Sequence, residues 1–164
     1  MKPTTIFITY NPHNWNEQTM AARLHTIGAA SGFRMYLPER SNGNQHVELE
    51  TVRRINESDY FIIFSFGALS NVVNTEIDIA FNHFNDKSKI IVIYDAFKGK
   101  TLGGGAEHFI PFYFNSQVDH LDTFLKSVIE QISTKKEDNV GKTILALIGI
   151  GLGFLILNEI GNKN

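Results

Sequence analysis

Two carboxylates, Glu76 and Asp78, stand two positions apart in SNVVNTEIDIAF, residues 70–81. Projected on a helix at about 100° per residue, they separate. Val73, Ile77, Ala80, Phe81 and Phe84 gather on one side, extended by Val72 and Ile79. Asn74, Thr75, Asp78, Asn82, Asn85 and Asp86 fill the opposite arc, so Asp78 reads as an ordinary solvated side chain. Glu76 falls inside the apolar arc, flanked by Val72, Ile79 and His83. A carboxylate half enclosed by apolar groups is costly unless it is paired or used in a site. Three accounts stand: an escape at the margin of the stripe, a pair with His83 or a lysine, or a chemical role.

Other candidates carry less. The six histidines (13, 25, 46, 83, 108 and 120) show no metal-ligand spacing. Gly103–Gly105 lack the strand–loop–helix phosphate fingerprint and a P-loop lysine. Ser65 has no G-x-S-x-G elbow around it. Asp119, His120 and Asp122 open a helix, where acids suit the dipole.

The elements that must position Glu76 alternate along the chain. TTIFITY (residues 4–10) and FRMYL (33–37) read as strands, with a helix between them over 14–31 that Asn14 or Asn16 caps. A polar loop, PERSNGNQH, leads to a short helix over 47–58 with Leu49, Val52 and Ile55 inward. DYFIIFSF (59–66) and KIIVIYD (89–95) are apolar runs fit for central parallel strands. Pro111 demotes FIPFYF (109–114) to a sheet edge. A closing helix begins near Val118, with Val118, Leu121, Phe124, Leu125, Val128, Ile129 and Ile132 inward. This is the pattern of an α/β fold: a five-stranded, parallel, doubly wound sheet in flavodoxin-like order. Ligands in such sheets bind beyond the C-terminal strand ends, which here offer Tyr10, Asn11, Glu39, Arg40, Ser65 and Asp95.

At 164 residues the chain holds one such domain, taken as residues 1–134, with a charged linker over 135–142 and a hydrophobic helix over 143–160. A net charge of −2 with dispersed lysines and arginines gives no reason to expect nucleic acid. The absence of cysteine excludes disulfides and thiolate sites and fits a reducing compartment. The start, MKPTTIFITY, does not read as a signal peptide, so a cytoplasmic domain is expected. TILALIGIGLGFLIL (143–157) is uncharged and of marginal length against the about 20 apolar residues that span a bilayer. Gly149 and Gly153 form a small-xxx-small pair. Its three glycines weaken a soluble helix by about 1 kcal/mol each. Two readings stand, an anchor in the inner membrane and tight packing in an oligomer.

Several segments together resemble the TIR (Toll/interleukin-1 receptor) domain family. IFITYN resembles its first-strand motif, INESDYFIIFSFGALS its I-x-x-S-x-x-x-I-x-x-x-S stretch, and NTEIDIAF its W-x-x-x-E-[IL]-x-x-A helix. The resemblance covers residues 4–134. It implies NAD as substrate with no separate cofactor, and Glu76 as the catalytic carboxylate that cleaves the bond between nicotinamide and ribose. An anion there stabilises oxocarbenium character on the ribose. It further implies that Tyr10, Asn11, Ser65, Phe66 and Val72 line the substrate cleft. Residues 38–45 correspond to the loop that gates the cleft and joins in self-assembly, with Arg40 meeting a phosphate. Chains of this kind resemble bacterial antiviral defence components that act as homo-oligomers.

Three positions depart from the family's pattern. Val72 replaces the tryptophan four residues before the glutamate, and Asn11 and Pro12 stand where arginine occurs. These fit an altered product, an altered substrate, or a non-catalytic assembly scaffold. The Glu-Ile pattern is also similar to nucleoside deoxyribosyltransferases, whose paired aspartate has no counterpart in this sequence.

Overall fold

The computed structural model describes residues 2–40 and 45–137. Five parallel strands form one sheet: β1 (Thr5–Thr9), β2 (Arg34–Tyr36), β3 (Tyr60–Ser65), β4 (Ile90–Asp95) and β5 (Ile110–Phe114). Their order is β2-β1-β3-β4-β5, so the direction of winding reverses between β1 and β3. The helices are α1 (Trp15–Ala30), α2 (Leu49–Asn56), α3 (Asn71–His83) and α4 (Leu121–Glu137).

The sheet is buried on both faces because its central strands carry almost nothing but large apolar residues. Every residue of β1 and β3 is buried. Alternation along each strand sorts the side chains into two cores. Ile6, Ile8, Ile62 and Phe64 pack with Leu24 of α1 and Leu125, Val128 and Ile129 of α4. Phe7, Phe61, Ile63, Val92 and Tyr94 pack on the other face with Ile55 of α2 and Ala80 of α3. Pro111 lies in β5, the edge strand, where a missing N–H breaks no second ladder.

Three details differ from the pattern in the sequence. Leu49 is exposed, and the buried residue near that end of α2 is Thr51. Val118 is exposed because it lies in the turn before α4. Helix α4 continues to Glu137, into the segment expected as linker, and Lys135 Nζ donates to Ser88 O at 3.1 Å. Among the described residues no helix is long and apolar enough to cross a membrane. The apolar segment 143–160 lies outside them.

Candidate functional site

Helix α3 starts where β3 ends, so its first two turns stand over the C-terminal ends of β1 and β3. Glu76 lies there, fully buried, on the helix face that also buries Val72, Val73 and Ala80. Asp78 is exposed, as its polar arc implies. The wheel therefore separated the two acids in the right sense. Phe81 departs from it: the ring is partly exposed, with Lys87 Nζ 4.0 Å from its centroid.

The partner of Glu76 is neither His83 nor a lysine. Arg40 Nη2 donates to Glu76 Oε2 at 3.1 Å, and Thr9 Oγ1 donates to the same oxygen. Thr9 reaches it because Thr5, Phe7 and Thr9 share the sheet face under α3. Arg40 reaches it because β2 runs parallel to β1, which puts the segment after β2 beside Tyr10. Its Nη2 also donates to Tyr10 O at 3.2 Å, and the guanidinium carbon sits 5.5 Å from the centre of the Tyr10 ring. Helix α2 pins the backbone just before it. Glu39 N donates to Thr51 Oγ1 at 2.7 Å, and Arg54 Nη1 to Leu37 O at 2.8 Å.

The electrostatics are unbalanced. Loss of hydration on burial pushes the Glu76 carboxyl above its ordinary value of 4.5, outweighing the Arg40 charge and the bonds from Thr9 and Arg40. Glu76 Oε1 and Arg40 Nε and Nη1 are buried and lack hydrogen-bond partners among the described residues. Buried polar atoms are almost always paired, which makes the acceptor and two donors left open on this pair unusual.

The remaining expected site residues divide. Tyr10 and Arg40 join Glu76, and Val72 is buried one turn before it. Asn11 turns toward the other loop, its side-chain amide donating to Ala68 O at 2.9 Å. Ser65 shares the sheet face of Thr9, but its hydroxyl is bonded to Thr101 Oγ1. Phe66 points to the opposite face, stacked with Phe114 at 6.4 Å between ring centres. Among the described residues no group of three His, Asp or Glu is placed to hold a metal.

Glu17 is a buried acid that the sequence reading passed over. Asn14 caps α1 by accepting from Glu17 N at 3.2 Å, one half of a capping box. The Glu17 carboxylate then reaches across to both site loops, accepting from Asn11 N at 2.6 Å and from Phe66 N at 2.8 Å. Burial raises this carboxyl above its ordinary value, while those two bonds and the nearby Lys98 charge oppose the rise. The N-x-x-E spacing was the available signal. The contact across to Phe66 was not, because it joins residues 49 apart.

No protein-family model matches the chain, and no curated protein matches it in sequence. Solved structures match it in shape. A flavodoxin-like domain from Synechococcus sp. superposes with a TM-score of 0.53 at 13% identity, covering 79% of this chain and 99% of that one. The fold is flavodoxin-like. The Flv1 flavodiiron core from Synechocystis sp. PCC6803 gives 0.52 at 14% identity, covering 81% of this chain and 36% of that one.

Proposed function

We propose that the chain is a TIR-type enzyme that cleaves the bond between nicotinamide and ribose in NAD, with Glu76 as the catalytic carboxylate. The observation that carries this reading is the buried, half-satisfied carboxylate at the winding reversal, with the open donors of Arg40 beside it. Ribose hydroxyls both donate and accept, so they complement Glu76 Oε1 and Arg40 Nε or Nη1 together. When the bond from ribose C1′ to the pyridinium nitrogen breaks, its electron pair leaves with nicotinamide. Positive charge then develops on the ribose. A carboxylate in a dry site stabilises that charge more strongly than one in water. Water, or another nucleophile that loses a proton, completes the transfer. Burial also makes Glu76 a better proton acceptor than an exposed glutamate.

In the arrangement described, Arg40 and Thr9 seal Glu76 from solvent. Substrate binding requires the Arg40 side chain to move off Oε2. That same sealing favours a second reading, in which the Arg40–Glu76 pair is structural and the domain is a non-catalytic scaffold.

A flavin, suggested by the flavodoxin-like fold, would meet a phosphate cradle that is already partly taken. Flavodoxins hold it at the β1/β3 reversal. A phosphate at the α1 N-terminus needs free backbone N–H groups. The Asn11 and Phe66 N–H groups already serve Glu17, and Asn14 takes that of Glu17.

A substrate panel tests the reading. Concentrated full-length protein is incubated with NAD and, separately, with 2′-deoxynucleosides, and free base is resolved by mass spectrometry. Release of nicotinamide from NAD supports the TIR-type enzyme. Base release from deoxynucleosides alone transfers the site to deoxyribosyl chemistry. No release from either supports the scaffold.

A further inference from the structure

A cavity of about 270 Å³ opens at the C-terminal ends of β4 and β5, on the sheet face covered by α1 and α4. It lies on the opposite face from Glu76. We propose that it is a second ligand site, which takes a flat, N-alkylated aromatic cation of the pyridinium class.

Five of its nine lining residues are apolar: Trp15, Met20, Phe66, Phe114 and Leu121. Phe66 and Phe114 lie nearly parallel, 4° apart, and build an aromatic wall. Trp15 stands at the first position of α1 with 77% of its surface in water. An indole left that exposed at the mouth of an apolar cavity offers a face for stacking. Phe97 and Val118, also exposed, each lie two positions along the chain from a lining residue, Asp95 or Ser116.

The charge selects the guest. Asp95 is the one ionic residue in the lining. One of its oxygens accepts from Phe97 N at 2.9 Å, and no cation of the described residues lies within ion-pair distance of it. Arg23 makes two bonds to Asp122, at 2.9 and 2.8 Å, and Lys98 Nζ, held by Phe66 O at 2.7 Å, stands beyond ion-pair distance of Asp95. An indole face and an unpaired carboxylate both attract a cation, and neither suits an anion. The volume lies just below the range of drug-sized pockets, which suits one ring or a fused pair rather than a dinucleotide.

Trp15 is the sole tryptophan of the chain, so tryptophan fluorescence is read at the mouth of this cavity, where saturation separates binding from collision. The full-length protein is titrated with 1-methylnicotinamide, with nicotinate as the anionic counterpart and choline as a compact quaternary ammonium. Saturable quenching is expected with 1-methylnicotinamide, with an affinity for nicotinate weaker by about tenfold or more. Asp95→Asn weakens the cation by a similar factor, and Ser116→Lys, an exposed rim position, abolishes its binding. Glu76→Gln leaves the titration unchanged, so this site and the catalytic reading stand or fall separately. Equal, non-saturable quenching by cation and anion would overturn the proposal. So would an unchanged affinity in a folded Asp95→Asn protein, or saturable choline binding with none by 1-methylnicotinamide.

Discussion

Glu76 is held by three opposing forces: lost hydration, the Arg40 charge and the Thr9 hydroxyl. Because lost hydration dominates, its folded-state pKa lies above the ordinary 4.5. A carboxyl raised in this way adds stability that is complete below the unfolded value and is lost as pH rises through the folded one. Glu76→Gln, which mimics the protonated form, should therefore gain stability relative to wild type as pH climbs above 4.5. Denaturant unfolding at several pH values reads this directly. Arg40→Leu does the reverse, stranding a buried carboxylate. At neutral pH it should cost about 3 kcal/mol, and less where Glu76 is protonated. A thermal or denaturant midpoint that is independent of pH would contradict that account of the pair. The sequence placed Glu76 on the apolar face through helical period alone. It could not place Arg40 or Thr9 against it, since those contacts join residues 36 and 67 apart.

Among the elements, the helix–strand alternation, the edge position of β5 and the two-sided burial of β3 and β4 were legible because each follows from local pattern. Leu49 and Val118 were misread where a helix begins, the place at which periodicity has fewest residues to average over. The straps between elements were illegible. Glu17 joins α1 to the loops after β1 and β3, and Thr51 joins α2 to the segment before Arg40. Each depends on a single polar side chain rather than a stripe. Glu17→Ala leaves the Asn11 and Phe66 N–H groups without an acceptor, which should cost about 2–4 kcal/mol. It should also speed amide hydrogen exchange at those two residues more than at β4. A uniform increase across the sheet would show that Glu17 supports the fold generally and not the two loops.

At the scale of the whole molecule, the fold supplies a reversal point where α3, β1 and the segment after β2 converge. The function proposed there depends on chemistry at the site, since the flavodoxin-like architecture hosts many activities. Self-assembly, implied by the TIR resemblance, predicts that specific activity rises with protein concentration; constant specific activity across a wide dilution series would remove assembly from the account. The most direct test of the central claim is the release of free nicotinamide from NAD, followed over time for concentrated wild-type protein and for Glu76→Gln. The account predicts steady release by the wild type and loss of at least about a thousandfold in the variant, the scale of removing one group that stabilises transition-state charge. Equal release by both proteins would contradict it, as would none by the wild type.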